Sequence, residues 1–69
     1  MTGDELRELR ERRGFTQQRL GELLGYTGKS ALVSVQRWEY GTRPIPNTKL
    51  KKLARLLRIP LESLIPDEE

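Results

Sequence analysis

Cysteine and histidine are both absent from this chain of 69 residues. Without cysteine the chain forms no disulfide bond and offers no thiolate to a metal. Without histidine it lacks the commonest general base and most kinds of zinc site. Long apolar runs are missing too, since the longest is far shorter than the roughly 18 residues that cross a membrane. Asp4, Glu5 and Arg7 also interrupt the region where a signal peptide is apolar. We therefore expect a soluble, cytoplasmic protein that is not an enzyme, does not bind membranes and holds no metal or cofactor.

The charges that are present are unevenly distributed. All 13 Lys and Arg residues lie between Arg7 and Arg58, whereas residues 62–69 hold four acids and no base. Without those four acids, the net charge of +3 rises to about +7. A basic body of this kind suits a polyanionic partner, because neutralising phosphates releases counterions. A solvated, charged surface on a helical protein explains the same composition equally well.

The hydrophobic pattern is helical throughout, and turn residues divide the chain into five predicted helices. Thr2 and Glu5 form a capping box for the first helix. Thr16 caps the second helix and Asn47 caps the fourth. The predicted bounds are Thr2 to Arg13, Gln17 to Leu24, a third helix ending near Tyr40, Asn47 to Leu57, and Pro60 to Leu64.

The start of the third helix is open, because Thr27 and Ser30 both qualify as its cap. Its predicted inward face consists of Ala31, Leu32, Val35 and Trp38, and its outward face of Ser30, Val33, Ser34 and Arg37. The second and third helices are short, consecutive and joined by a turn that begins at Gly25. This is the plan of the helix-turn-helix motif, whose second helix lies in the major groove of DNA.

The last third of the chain is predicted to pack against these helices. Pro44 and Pro46 impose an extended loop, because each disfavours helix at the residue before it. The fourth helix has Leu50, Leu53, Ala54 and Leu57 inside, and Lys49, Lys51, Lys52 and Arg55 outside. Pro66 ends the fifth helix, and we expect the acidic tail at residues 67–69 to fray. Residues 1–66 are therefore expected to form a single domain.

Four stretches, taken in order, resemble one family. They are FTQQRLGELLG at 15–25, VQRWEYG at 35–41 followed by RPIP at 43–46, the pattern LxxLAxxL at 50–57, and LESL at 61–64. Together they resemble the phage repressor and Cro family, also called the XRE family. The resemblance implies an all-α, five-helix, lambda-repressor-like DNA-binding domain with its helix-turn-helix at helices 2 and 3. It also implies a sequence-specific regulator of transcription.

The chain departs from the family pattern in one segment. Between Gly25 and Glu39 it has about four residues more than the usual spacing, and the extra residues fall within 26–31. Either the turn is longer, or the third helix gains one turn at its start. The end of that helix, anchored by Trp38, Glu39 and Gly41, still aligns with the family.

The outward face of the third helix supplies the expected base contacts. Arg37 has a guanidinium fork that matches N7 and O6 of guanine. Ser34 and Ser30 can donate to or accept from base edges or bind phosphates, and Val33 suits a thymine methyl group. The alternatives are a solvated arginine at position 37 and a misjudged helix phase that buries Val33.

Contacts to the DNA backbone are expected on both sides of the third helix. The expected set is Thr16, Gln17, Gln18, Lys29, Thr42 and Arg43. The resemblance assigns Gln17 to a phosphate, beside the free amides of a helix N-terminus. It also runs the loop that holds Arg43 along the sugar–phosphate backbone. Ordinary surface side chains are the alternative in each case.

Arg10 and Glu39 are interpreted as a structural pair. Arg10 lies on the apolar side of the first helix and Glu39 on the inward flank of the third, and burying either charge alone is costly. The resemblance implies a bridge between them. We expect the two to bond to each other without touching DNA, and we expect Trp38 to pack in the core.

The expected partner is a double-stranded DNA operator, bound by a homodimer that forms in solution or only on DNA. Dimer contacts are expected from the loop after Gly41 and from the fifth helix. An antitoxin, which binds a toxin protein and regulates its own operon, is the alternative function. A protein-interaction module that does not use DNA is a third possibility.

Overall fold

The structure, a computed structural model, describes residues 1–64. That range contains α-helices and one 3-10 turn, without a strand: α1 at Gly3–Arg12, α2 at Gln17–Leu23, α3 at Lys29–Tyr40, α4 at Asn47–Leu57, and the 3-10 turn at Leu61–Ser63. The all-α class is confirmed. None of these helices has the length and apolar character to span a bilayer. The predicted stop at Pro66 and the acidic tail at 67–69 lie outside the described residues.

The core is built from side chains of all four α-helices. Its buried members are Leu6, Leu20, Leu24, Val35, Trp38, Leu53, Ala54, Leu57 and Leu64. Two residues predicted to lie inside, Leu32 and Leu50, are half-buried. The prediction that Trp38 packs in the core is confirmed, since its side chain is 6% exposed.

Local capping sets the starts of α1 and α2 as the sequence predicts. The Thr2 hydroxyl accepts from the Glu5 backbone N–H at 3.1 Å, and the Thr2 backbone N–H donates to Glu5 Oε1 at 2.7 Å. The Thr16 hydroxyl accepts from the Arg19 backbone N–H at 3.0 Å. Each bond satisfies a helix-end donor that otherwise has no partner.

The predicted caps of the third and fourth helices are wrong. Gly28, with φ 56° and ψ −140°, occupies the cap position of α3 in place of Thr27 or Ser30. Glycine reaches this conformation without a side-chain clash. Pro46 occupies the cap position of α4, and Asn47 is the first helical residue. The fixed φ of proline prepares the chain for the helix, although its side chain caps no N–H.

The predicted fifth helix is a single 3-10 turn rather than an α-helix. Pro60 takes the cap position, and Leu64 N–H donates to the Leu61 carbonyl at 2.9 Å. Only three residues lie in the turn, which is too short for an α-helical hydrogen-bond ladder. The turn nevertheless delivers Leu64 to the core.

The turn between α2 and α3 is held by aromatic contacts. The rings of Tyr26 and Trp38 meet edge to face with centroids 5.9 Å apart. The Lys49 ammonium lies 5.0 Å from the centroid of the Tyr26 ring, a cation–π geometry. Lys49 is therefore half-buried, which corrects its prediction as an outer residue of the fourth helix.

Candidate nucleic-acid interface

The two helices of the motif pack closely at one glycine. A Cβ atom at Gly21 of α2 would overlap the backbone carbonyl of Ala31 in α3. Ala31 is itself fully buried. The absence of a side chain at position 21 thus allows the backbones of α2 and α3 to approach each other, which fixes how α3 is presented.

The extra residues of this chain lie mainly in α3. The connection from α2 to α3 spans residues 24–28, close to the three or four residues usual for the motif. The helix that follows has 12 residues and starts at Lys29. Of the two alternatives left by the sequence, the structure therefore favours a third helix that is longer at its N-terminus.

The predicted base-reading residues lie on the solvent side of α3, at two depths. Ser30 and Arg37 are exposed, whereas Val33 and Ser34 are half-buried. The opposite face holds Val35 at 0% exposure, which fixes the rotation of the helix about its axis. Arg37 is consequently turned to solvent, and Val33 is not enclosed by the core.

Two further residues of this face were missed by the sequence analysis. Tyr40 is 73% exposed, the large apolar side chain that the described chain leaves most open. Gln36 is half-buried. Gln36 follows Val33 by three residues, and Tyr40 follows Arg37 by three, so the helical period alone could have found both.

A buried polar network joins α1, α2 and α3 behind this face. Arg10 Nε donates to Glu39 Oε2 at 2.6 Å, and Arg10 Nη1 donates to the Phe15 carbonyl at 2.8 Å. Gln17 Nε2 donates to Glu39 Oε1 at 3.0 Å. Arg10 is 7% exposed and Glu39 8% exposed. The network therefore fixes the start of α2 relative to the end of α3.

The residues of α2 that are predicted to bind the DNA backbone differ in how many hydrogen-bond donors remain available after their bonds within the protein are counted. The Gln17 amide uses one N–H on Glu39 and keeps the second. The Gln18 amide donates to Glu22 Oε2 and to the Gly28 carbonyl, both at 3.0 Å, and so has no donor left. The Thr16 hydroxyl accepts a bond but can still donate its hydrogen. Phosphate oxygens only accept, so Thr16 and Gln17 fit the predicted contact better than Gln18.

The loop after α3 is organised by the carbonyl of Arg37. Both the hydroxyl and the backbone N–H of Thr42 donate to that carbonyl, at 3.3 and 3.0 Å. Thr42 would therefore have to break a bond before it could donate to a phosphate. Arg43 follows as an exposed side chain.

The cations on this side of the molecule are not neutralised by the protein. Within residues 1–64, the ion pairs join Arg7 to Asp4, Arg10 to Glu11 and Glu39, and Arg19 to Glu22. Lys29, Arg37 and Arg43 have no carboxylate partner in that range. The exposed end of α3 and its flanking loop therefore carry positive charge into solvent.

Two consecutive helices in close contact, joined by a short turn and with a polar and cationic face on the second, have the arrangement of a helix-turn-helix motif. A family model described as helix-turn-helix matches residues 6–64. The chain belongs to this family, the XRE or phage repressor and Cro-like proteins, and is thus a DNA-binding transcription regulator. Comparison with curated proteins and with solved structures gave no significant match.

Proposed function

We propose that this protein is a sequence-specific repressor that inserts α3 into the major groove of its operator. The observation that supports the proposal is the burial of Val35 and Trp38, which turns Arg37 to solvent on the opposite side of the helix. A repressor needs no more than occupancy of a site that overlaps the promoter. Binding to DNA is therefore sufficient for this activity, and a single small domain can supply it.

Base reading is assigned to the solvent face of α3. Arg37 recognises a guanine through its two parallel donors, and Val33 contacts a thymine methyl group. Ser34 and Ser30 add single hydrogen bonds to bases or phosphates. Because Ser34 lies deeper than Arg37, its reach is limited to a base edge directly beneath α3.

Backbone anchoring is assigned to donors that the fold leaves available. Thr16 and Gln17 act at the start of α2, Lys29 at the start of α3, and Arg43 in the following loop. Gln18 and Thr42 have their donors engaged within the protein. We assign these two residues to holding the turn and the loop in place, so that they act on DNA through their neighbours.

The repressor is proposed to bind as a homodimer, formed in solution or only on DNA. One small module buries limited surface, and two half-sites about 34–36 Å apart match the repeat of the duplex. Beside the end of α3 lies a groove of about 550 Å³ whose lining includes Pro44, Ile45 and Leu64. A second copy is its proposed occupant, with Tyr40 at the edge of the contact.

The direct test selects bound sites from random duplexes and then compares Arg37→Ala with the parent protein. The variant should lose about 10- to 100-fold in preference for the selected site, equivalent to one guanine contact of about 1–3 kcal/mol. Binding to unrelated DNA should fall only slightly. Arg7→Ala, which removes the same charge from α1, should keep the preference. Equal losses on all sequences with Arg37→Ala would contradict base reading, and a single half-site in the selected sequences would contradict the dimer.

A further inference from the structure

A second basic surface lies where the end of α1 meets the end of α4. It is a cleft of about 420 Å³, which we call the arginine cleft, lined by Arg12, Arg13, Phe15, Arg55, Leu56 and Arg58. The four arginines are exposed, and the two apolar side chains are half-buried. The lining contains no acid and no residue of α3, so the cleft is separate from the proposed base-reading face.

The protein leaves the charges of this cleft uncompensated. Within residues 1–64, none of its four arginines has a carboxylate within ion-pair distance. Arg13 Nε donates to the Leu57 carbonyl at 3.2 Å, which ties α1 to the end of α4. Like charges that face one cleft repel each other. A bound polyanion would relieve that repulsion, and guanidinium groups match phosphate with two parallel donors.

The backbone at Arg58 shows that a charged side chain is kept at one edge of the cleft at a conformational cost. Arg58 ends α4 in the left-handed region, with φ 58° and ψ 46°, and it is the non-glycine residue of the described chain with positive φ. Glycine is the usual residue at such a position, because a Cβ atom is disfavoured there. The sequence therefore keeps a guanidinium at the edge of the cleft where glycine is the more usual residue.

The position of the cleft indicates which polyanion it meets. Phe15, in its lining, directly precedes Thr16, which caps α2 and is proposed to bind a phosphate. The cleft thus adjoins the start of α2, where phosphate contacts are proposed. We propose that the arginine cleft binds the sugar–phosphate backbone of DNA that flanks the base pairs read by α3. This inference rests on the proposed function, and it extends the contacted DNA beyond the half-site.

The test compares two duplexes that carry the same selected site. One ends at the site, and the other continues for about 10 base pairs, one helical turn, on each side. The parent protein should bind the longer duplex more tightly. The slope of log affinity against log salt should also be steeper on that duplex, by about 0.9 for each flanking phosphate contacted.

Two variants remove the cleft charges in different ways. Arg12→Gln with Arg55→Gln, which leaves Arg13 and Arg58 in place, should remove much of the gain from the flanks while leaving affinity for the short duplex unchanged. Arg58→Gly should reduce the same gain and, because it relieves the left-handed backbone, raise the Tm by about 4 °C. Arg7→Gln, which removes one charge from α1 as Arg58→Gly removes one from the cleft, should keep the full gain.

The outcomes separate this inference from the proposed function. If the short duplex is not bound specifically, the proposed function fails. If it is bound but the flanks add no affinity to the parent protein, the arginine cleft does not bind DNA. That result, which is expected if the cleft serves an acidic protein segment, overturns the inference, as does an undiminished gain in the cleft variants.

Discussion

Arg10 and Glu39 are the two charged side chains that residues 1–64 bury. Each of the two charges makes the burial of the other tolerable. A buried ion pair adds little to the stability of the fold over an apolar pair of similar size, whereas a single buried charge is strongly destabilising. The described residues leave no buried side-chain nitrogen or oxygen without a hydrogen-bond partner. Gln17 and the Phe15 carbonyl complete the set around the pair.

Arg10→Met should therefore lower the free energy of unfolding by about 3–5 kcal/mol, because the Glu39 carboxylate loses its cation. For a domain of this size, each kcal/mol corresponds to roughly 4–8 °C in the Tm. Thermal unfolding followed by circular dichroism measures the change. Adding Glu39→Met should restore much of the loss, since no charge is then left buried.

The control for this pair is the exposed bridge between Arg7 and Asp4, at 3.7 Å. Arg7→Met should change stability by less than about 1 kcal/mol, since solvent screens exposed pairs. An unaltered Tm for Arg10→Met, or a double variant less stable than Arg10→Met alone, would contradict the structural role. Preference among DNA sequences should be the same for all variants that remain folded.

At single positions, sequence reasoning succeeds where chemistry is local and fails where it depends on tertiary neighbours. A polar residue on an apolar face, such as Arg10, already demands a partner. The engagement of Gln18 with the Gly28 carbonyl, or of Lys49 with the Tyr26 ring, follows only from how the helices pack. The available donors at the proposed interface therefore could not be counted from the sequence.

Among the helices, α1 shows how a local sequence signal becomes a measurable stability. The hydrogen bond from the Thr2 backbone N–H lowers the pKa of Glu5 below its ordinary value of 4.5. A carboxylate with a lowered pKa in the folded state stabilises the fold above its ordinary pKa. That contribution is lost as the pH falls through the lowered value.

Glu5→Gln should accordingly remove part of the fall in Tm on acidification below pH 4.5, the ordinary pKa of Glu5. A glutamine still accepts from the Thr2 N–H but does not titrate, so the capping box persists at every pH. Thr2→Ala, which removes the reciprocal acceptor, should cost about 1 kcal/mol at neutral pH. Melting curves between about pH 2.5 and 7 test both changes, and identical pH profiles for Glu5→Gln and the parent would show that Glu5 does not contribute.

The starts of helices were predictable where a side chain makes the cap and not where the backbone does. Thr2 and Thr16 were found because their hydroxyls bind the N–H three residues on. At α3, neither Thr27 nor Ser30 occupies the cap position. Gly28 occupies it, because glycine adopts a backbone conformation there that is disfavoured for residues with a side chain. The proposed DNA-binding face depends on the position of this cap, because the cap determines the residue at which α3 begins.

On the scale of the whole molecule, the cations that have carboxylate partners and those that have none lie on different surfaces of the described chain. Four of the acids, Asp4, Glu5, Glu8 and Glu11, lie on α1, where Asp4 pairs with Arg7 and Glu11 with Arg10. The cations without carboxylate partners in the described chain include those of α3, its following loop and the arginine cleft. Such a separation creates a field that orients the protein towards a polyanion before contact. It also predicts that affinity for DNA falls steeply as the salt concentration rises. Each phosphate contact contributes a part of that salt slope.

Substituting Arg43 measures the contribution of a single side chain to that salt slope. It is exposed in the loop after α3, and the backbone N–H of Arg43 donates to the Arg37 carbonyl at 3.4 Å, which holds the loop against the end of α3. Arg43→Ala should weaken binding to the selected site and to unrelated DNA by the same factor, because a phosphate contact carries no sequence information. The salt slope should decrease by about one. Titrations at several salt concentrations measure it, with Arg37→Ala as the contrasting variant that changes preference instead. An unchanged salt slope would show that Arg43 does not contact a phosphate, and the loop would then have only a structural role.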